Sequence, residues 1–304
     1  MHILKKNIHG VLLLDKPQGI SSNQALQKIK KIFRAHKAGY IGTLDPLATG
    51  ILPICFGEAT KLSNYLTNSI KSYHVIGKLG QVTSTYDSEG SIVETHSINF
   101  TQIEFYNALQ NFQGKIIQFP PVYSAIKYQG LPLYKYARKN ISVPKIQRTV
   151  FIYHINCIQF NNEIVELEIT CSKGTYIRTL IHDLGKLLKC GAHVIFLRRL
   201  MVGIYHVSKA INFMNLYKLR QFSDALDNNN IMFNLLLSLK DIFFTLPEIK
   251  IDSLSTLYQK QKFCPIPLTR NSFVRITIKE NKKIFIIGMV GNLGELISYK
   301  LLNI

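Results

Sequence analysis

The chain has 304 residues and carries 37 Lys and Arg against 18 Asp and Glu, which gives a formal net charge of +19. Its length predicts one large domain or two smaller ones, and 47% hydrophobic residues is enough to bury a core, so global disorder is excluded. The positive charge favours a phosphate-rich partner held by salt-sensitive attraction. Compositional drift towards Lys, Ile and Asn is the alternative source of part of this charge.

Cysteine usage and hydropathy indicate a reducing, aqueous compartment. The cysteines are odd in number and none is spaced as a metal or redox pair, so neither a disulfide framework nor a zinc site is predicted. They are Cys55, Cys157, Cys171, Cys190 and Cys264. No apolar stretch approaches the roughly 18 residues of a membrane span, and the apolar run at residues 11–14 is too short for a secretory signal. We therefore expect a cytoplasmic protein.

The chain opens with a predicted strand, turn and helix. Residues 10–15 form an apolar run typical of a buried strand, Pro17 and Gly19 indicate a turn, and Ser21-Ser22 is a predicted N-cap. A Gly-rich loop at residues 36–50 follows this helix.

Hydrophobic periodicity predicts the next elements. They are strands at residues 72–81 and 91–95, a short helix at 101–112, an antiparallel strand pair at 147–160 and 164–171, and a helix at 175–190 closed by Gly191 as its C′ residue. Residues 118–148 differ, because four prolines lie there among Tyr, Phe, Lys and Arg. This segment is predicted to leave the core.

The composition changes again beyond Phe243. Three prolines accompany three short predicted strands at residues 272–279, 283–290 and 294–300. We predict a larger domain at residues 1–243, with 118–148 as an inserted segment, and a small β-rich domain at residues 244–304. The predicted fold class is α+β, with a mixed, mainly antiparallel sheet flanked by helices and a small β-rich C-terminal domain.

A search for common catalytic spacings excludes several kinds of chemistry. The sequence contains no GxGxxG, Walker A, GxSxG or HExxH motif, and its nine His are not paired at metal-ligand spacing. Redox, nucleotide-hydrolysis and metal chemistry are therefore disfavoured, and neither a cofactor nor a metal is expected.

A single acid, Asp45, lies in the loop at residues 42–50 among small and apolar residues. Pro46 restricts the backbone of Asp45, and Asp before Pro is also a common way to begin a turn, so a purely structural role is the alternative. Basic residues upstream, between Lys28 and Lys37, could hold a phosphate backbone near this carboxylate. The loop is the leading candidate for a functional site.

Six blocks of sequence resemble the bacterial tRNA pseudouridine synthases that modify uridine 55 in the T loop. The blocks occur in the order of that family and are spread over residues 10–202. They are residues 16–22 (KPQGISS), 42–61 (GTLDPLATGILPICFGEATK), 71–75 (KSYHV), 118–127 (QFPPVYSAIK), 171–180 (CSKGTYIRTL) and 192–200 (AHVIFLRRL). The C-terminal tail resembles the small RNA-binding PUA domain of that family only weakly.

The resemblance implies an isomerisation with Asp45 as the nucleophile on a uridine. Attack on C1′ of the ribose would give a sugar ester, and removal of a C2′ proton would lead through a glycal; the sequence leaves both routes open. Either route needs an ionised carboxylate. Arg178 is expected to keep it charged, with Asp87 as a second partner of that Arg and a surface-turn role as the alternative for Asp87.

The resemblance also implies a pocket for a flipped-out base. Tyr73 is expected to stack on the uridine and is a candidate proton acceptor, Tyr176 to shape the opposite side, and Leu197 to contact the uridine through its backbone. Each tyrosine could instead be an ordinary core aromatic residue. One departure is Tyr40, which stands where the family usually has His, and we expect reduced efficiency from it.

Other basic residues receive less specific expectations. Arg198 and Arg199 are expected to bind phosphates, and Lys16 to be structural or to face RNA. The tRNA T arm is the expected partner of a monomer that needs no protein partner and no membrane. An RNA-binding or tRNA-folding protein with weakened catalysis, and a related synthase that uses guide RNA or accessory proteins, are the alternatives.

Overall fold

The computed structural model describes residues 6–144, 146–161, 163–244, 246–257, 272–279, 284–291 and 294–303. The strands are β1 (Gly10–Lys16), β2 (Ala38–Tyr40), β3 (Thr49–Phe56), β4 (Lys71–Leu79), β5 (Gln81–Thr83), β6 (Ile92–Thr95), β7 (Gly114–Gln118), β8 (Lys127–Tyr128), β9 (Leu131–Pro132), β10 (Arg148–Phe160), β11 (Ile164–Cys171), β12 (Ala192–Val202), β13 (Tyr205–His206), β14 (Glu248–Ile251), β15 (Ser272–Ile278), β16 (Ile284–Val290) and β17 (Leu296–Asn303). The α-helices are α1 (Ser22–Ile32), α2 (Ser63–Thr67), α3 (Gln102–Gln110), α4 (Leu133–Ala137), α5 (Ile177–Leu187), α6 (Phe213–Ala225), α7 (Asn230–Phe233) and α8 (Leu239–Phe243).

A large mixed sheet forms the centre of the molecule. Its strand order is β1-β3-β12-β4-β11-β10-β7, with β2 paired to β3 and β13 paired to β12. Strand β12 runs parallel to β3 and antiparallel to β4, and the other neighbours along this path are antiparallel. The predicted fold class, a mainly antiparallel sheet flanked by helices, is confirmed. Strand β12, which the sequence did not predict, lies between β3 and β4 and brings the two halves of the sheet together.

Helices pack on both faces of this sheet, since α1 and α5 share a cluster with Leu12 and Leu14 of β1 while α8 shares another with Val11 and Leu13. Helix α1 begins with a capping box, in which Ser21 Oγ accepts from the Gln24 amide and the Ser21 amide donates to the Gln24 side chain. The alternation predicted for β11 is confirmed by the burial of Val165, Leu167 and Ile169 in one core with helix α5. No helix among the described ranges is long and apolar enough to cross a membrane.

The end of helix α5 differs from the prediction. Leu188 is the C-cap, so the C′ position belongs to Lys189, which has a left-handed φ of 56°, while Gly191 lies two residues further on with φ 71°. Both residues are left-handed because the chain must turn sharply from α5 into β12. The prediction of Gly191 at C′ is therefore wrong by two residues.

The C-terminal residues form a separate four-stranded sheet in the order β14-β15-β16-β17. Three of these strands correspond to the predicted ones, although the start of the second prediction lies outside the described residues, and β14 was not predicted. Val274, Ile276 and Ile286 form the core of this sheet. Ile287 and Leu302 pack into a cluster shared with the larger sheet, so the two sheets are in contact.

Residues 118–148 leave the edge of the large sheet and return to it. Gln118, the last residue of β7, lies opposite Arg148, the first residue of β10, in the antiparallel register. The β8–β9 pair and helix α4 lie between them. The two ends of the segment predicted as an insertion therefore meet at one point on the sheet edge.

Candidate active site

A cavity of about 940 Å³ opens beside the sheet and brings together distant parts of the chain. All six residues predicted to form the site line this cavity. They are Tyr40 at the end of β2, Asp45 in the following loop, Tyr73 in β4, Tyr176 and Arg178 at the start of α5, and Leu197 in β12. Residues 124–127 of the inserted segment form another part of the wall.

Contacts with the turn after β1 and with the first residue of α1 fix the loop that carries Asp45. Ser22 Oγ accepts from the Leu44 amide and donates to the Leu44 carbonyl, both at 2.8 Å. The Gly19 amide donates to the Pro46 carbonyl at 2.9 Å. The residues on both sides of Asp45 are therefore held in place, and the carboxylate is aimed into the cavity by a rigid backbone.

Lys16 lies beneath this loop rather than on the surface. Its Nζ donates to the carbonyls of Pro17 at 2.8 Å, Ile20 at 2.7 Å and Pro46 at 3.4 Å. Burial lowers the pKa of Lys16 to about 8, partly offset by the negative charge of Asp45. Of the two expectations for Lys16, the structural role is the one that the geometry supports.

Arg178 joins Asp45 to the rest of the site. Its Nε lies 3.0 Å from Asp45 Oδ2. Its Nη1 donates to the Thr85 carbonyl at 2.9 Å and to Asp87 Oδ2 at 3.1 Å, and its Nη2 donates to the Tyr123 carbonyl at 3.0 Å. The guanidinium is thus held from several directions, which fixes the cation beside Asp45.

Asp87 is the second partner of Arg178, as the resemblance implied, and it is buried instead of lying on a surface turn. Its Oδ1 accepts from Thr85 Oγ1 at 2.6 Å and from the Glu89 amide at 3.1 Å. The turn that holds it is attached to β12, because the Val194 amide donates to the Tyr86 carbonyl at 3.0 Å. Asp87 therefore anchors Arg178 through Nη1, a different nitrogen from the Nε that faces Asp45.

Burial and charge act in opposite directions on Asp45. Desolvation raises the pKa of Asp45, and the positive charge of Arg178 is the largest effect that opposes this rise. The side chain is 35% exposed, so a molecule in the cavity can reach the carboxylate. Burial also raises the pKa of Tyr73 and of Tyr176.

The remaining predicted residues lie on neighbouring strands. Tyr73 is buried on β4, and Leu197 lies opposite Val75 of the same strand pair. Tyr40 is half-buried and pairs with Ile54 of β3. The structure thus places an aromatic ring from β2 and another from β4 around the cavity that Asp45 enters.

The expectation that Arg199 binds phosphate is wrong. Arg199 is 1% exposed, and it donates to the Ile51 carbonyl at 2.8 Å and to the Gly42 carbonyl at 3.0 Å. Because β12 is a central strand, Arg199 points into the protein beneath the Asp45 loop, where it supports that loop. Its neighbour Arg198 forms a two-bond ion pair with Asp15, at 3.1 and 2.8 Å, which occupies its guanidinium.

Sequence reasoning missed the structural roles of two polar residues that shape the cavity. Arg199 is one of them, and Gln118 is the other, since its side chain binds both backbone groups of Tyr176. No local signal indicates either role, because both contacts depend on how distant strands pair. In the part of the chain that the structure describes, no three His, Cys, Asp or Glu side chains are grouped so that they could hold a metal.

Comparison with known proteins identifies relatives over nearly the whole chain. Residues 30–177 match the N-terminal domain model of the TruB family pseudouridylate synthases, and residues 178–242 match the C-terminal domain model of tRNA pseudouridylate synthase B. The tRNA pseudouridine synthase B of Buchnera aphidicola subsp. Schizaphis graminum is 48% identical, with 98% of this chain and 97% of that protein covered. The protein of the same name from Photorhabdus laumondii is 46% identical, with coverage of 96% and 95%.

Solved structures show the same fold at much lower identity. A chain of a Cbf5-Nop10-Gar1 complex is similar with a TM-score of 0.73 at 23% identity, and the match covers 97% of this chain and 84% of that one. A chain of an H/ACA RNP bound to a substrate RNA gives 0.68 at 23% identity, with coverage of 93% and 78%. The full-length relatives and the two family models together show that this chain belongs to the TruB family of pseudouridylate synthases.

Proposed function

We propose that this chain isomerises uridine 55 in the T loop of tRNA to pseudouridine, with Asp45 as the nucleophile. The relatives that share 46–48% of its residues are tRNA pseudouridine synthases. One geometric observation carries the assignment of Asp45: its carboxylate opens into a large cavity while Arg178 holds it at 3.0 Å. The other carboxylate of the pair, Asp87, is enclosed by protein.

The reaction needs no redox partner. The bond between C1′ and N1 of the uridine breaks, and C1′ is joined to C5 instead; C5 loses a proton and N1 gains one, so atoms balance. Asp45 either attacks C1′ to form a sugar ester or removes a C2′ proton to form a glycal. Both routes need the ionised form, and the cation of Arg178 favours that form against the effect of burial.

Tyr73 is proposed to hold the uridine once it has left the T loop. Turning a base out of its stack costs a few kcal/mol, and stacking on an aromatic ring returns about 1–3 kcal/mol. One ring therefore offsets most of the cost. Tyr176 closes the opposite side, the Leu197 backbone contacts the base, and the Tyr73 hydroxyl is the candidate acceptor for the proton that leaves carbon.

The tRNA T arm is proposed to lie across the mouth of the cavity. Lys127, Arg148 and Lys173 line this cavity and can contact phosphates. We propose that the chain acts on tRNA as a monomer in the cytoplasm, without a protein partner. Residues 1–243 are proposed to form the catalytic domain, and residues 244–304 an additional RNA-binding domain of the PUA type. The attraction between these basic side chains and RNA phosphates weakens steeply as the salt concentration rises.

The test is to incubate purified protein with unmodified tRNA transcript and to map pseudouridine at each position. Wild type is expected to convert the T-loop uridine, and Asp45→Asn to bind the transcript without converting it. Asp227→Asn is the matched control, because Asp227 is exposed and Asn tolerates its left-handed φ of 46°. Tight binding without product from wild type would instead support an RNA-binding or tRNA-folding protein.

A further inference from the structure

The Gln118 side chain forms a two-sided clamp on the start of helix α5. Its Nε2 donates to the Tyr176 carbonyl at 3.2 Å, and its Oε1 accepts from the Tyr176 amide at 3.0 Å. Gln118 is 1% exposed, so water does not compete for these bonds. Both hydrogen-bonding ends of the amide are therefore committed to a single backbone position.

This clamp holds the N-cap residue of α5. Tyr176 is the N-cap residue of α5, and its side chain makes no capping hydrogen bond. Its carbonyl accepts from the Leu180 amide at 3.1 Å within the helix, and Gln118 adds a second donor from outside. Because Arg178 lies two residues further along, the first turn of α5 and the Arg178 guanidinium are positioned together.

Gln118 is also the point at which the inserted segment leaves the sheet. Arg148 lies opposite Gln118 in the register, and the segment contacts Arg178 again through the Tyr123 carbonyl at 3.0 Å. The Phe119 carbonyl also accepts from Thr179 Oγ1 of α5 at 3.4 Å. The base of the inserted segment is thus connected to the site through the Gln118 side chain and through the backbone carbonyls of Phe119 and Tyr123.

We propose that Gln118 is a positioning residue for the reaction. It couples the base of the inserted segment to the placement of Tyr176 and Arg178 against Asp45. This inference rests on the proposed function and extends it. A movement of the segment on RNA binding would reach Arg178 through Gln118 and Tyr123, without any contact between Gln118 and the uridine.

The first experiment uses Gln118→Met, which keeps the length of the side chain and removes both hydrogen bonds. If the transition state loses stabilisation equal to about one net hydrogen bond, kcat should fall roughly tenfold. The KM for tRNA should change much less, because Gln118 does not contact the RNA. The acid limb of kcat should also move to higher pH, since Arg178 stabilises the ionised Asp45 less well. Gln113→Met, at an exposed position just before β7, is the matched control and should behave as wild type.

The second experiment uses Gln118→Glu, which can still accept from the Tyr176 amide but cannot donate to its carbonyl while ionised. Its kcat relative to Gln113→Glu should rise as pH falls, because the protonated carboxyl donates again. Thermal unfolding midpoints are measured for all variants at each pH. This variant keeps the test decisive even where Gln118→Met folds poorly.

The outcomes separate the two proposals. Wild type and both Gln113 variants must form pseudouridine whatever Gln118 does, so their failure would overturn the proposed function. Active controls with an unchanged kcat and acid limb in Gln118→Met would overturn the positioning role. A Gln118→Glu defect that does not depend on pH, or that follows the loss of folded protein, would also overturn it.

Discussion

The two sides of Arg178 hold carboxylates in opposite situations. On the Asp45 side the carboxyl is 35% exposed and its ion-pair partner among the described residues is Arg178. On the Asp87 side the carboxyl is 2% exposed and accepts from Arg178, the Thr85 hydroxyl and the Glu89 amide. One cation is therefore shared by a saturated anchor and by a carboxylate with free acceptor capacity.

This difference fits the proposed roles, in which Asp45 is the reactive acid and Asp87 is a structural one. A carboxylate that already accepts several hydrogen bonds is stabilised as an anion and is a weak nucleophile. Asp45 is oriented by its backbone, because Leu44 is bonded to the start of α1 and Pro46 to the turn after β1, so free acceptor capacity remains on its side-chain oxygens. Asp45 is held through the backbone of its neighbours, which suits a reactive role, and Asp87 is held through its own side chain, which suits a structural role.

The largest expected effect comes from Asp45→Asn. Loss of the proposed nucleophile should lower kcat by roughly 10⁴-fold or more, while binding of tRNA is retained. Stability should be unchanged or slightly increased at pH 7, because burial raises the pKa of Asp45 in the folded state and its ionised form therefore disfavours folding above that pKa. Single-turnover kinetics and urea unfolding measure the two quantities. Marked destabilisation would show that Asp45 is an anchor like Asp87.

The second prediction concerns Asp87, where we expect the substitution to affect stability strongly, in contrast to Asp45. Asp87→Asn weakens a buried, charge-assisted hydrogen bond to Arg178 and should lower the free energy of unfolding by about 1.5–3 kcal/mol. Urea unfolding measures this value, with Asp227→Asn as the control for loss of an exposed charge. Equal unfolding curves for Asp45→Asn and Asp87→Asn would remove the distinction between the two sides.

The third prediction concerns pH. The proposed reaction needs ionised Asp45, and burial raises the pKa of Asp45, so activity should be lost on acidification at a pH above the ordinary aspartate range. Arg178→Lys offers one ammonium group in place of a guanidinium that contacts both carboxylates, so Asp45 loses stabilisation and the acid limb of kcat/KM should move to higher pH. The pH profile is compared with that of Arg220→Lys, which alters an Arg–Asp pair on α6. An unmoved limb would mean that Arg178 does not control the charge of Asp45.

The sequence predicted one side of this comparison better than the other. Asp45 stood out because it lies in a Gly- and Pro-rich loop with no other acid, a pattern visible within nine residues. Asp87 and Arg178 were found through resemblance, and their contact joins positions 91 residues apart. Local periodicity predicted β11, where one face is buried and the other is polar, and the Ser21-Ser22 cap predicted the start of α1. Strand β10 was also predicted, although Phe151, Tyr153 and Ile158 are exposed on it.

What the sequence did not predict depends on long-range pairing. Strand β12 was not assigned, and with it the inward direction of Arg199 was missed, because only the position of β12 between β3 and β4 decides which of its side chains are buried. The same limit applies to Gln118, whose partner Tyr176 is 58 residues away. A charge count suggests that an arginine faces RNA, whereas strand order can place it beneath a loop.

The smallest expected effect tests the cavity wall on the Asp45 side, which has no equivalent around the enclosed Asp87. Tyr40 lines the cavity where the family usually has His, and a ring at this position can fill space left by flipped nucleotides. Tyr40→His restores a smaller ring that can carry a proton, and we expect turnover to rise by less than about tenfold, within the range of a single aromatic contact. Tyr217→His is the control for the same substitution outside the cavity, because Tyr217 lies at an exposed position of α6. If turnover and tRNA affinity both stay at the wild-type value, Tyr40 already performs the role of His. The site around Asp45 would then depend on the position of an aromatic ring and not on the protonation of that ring.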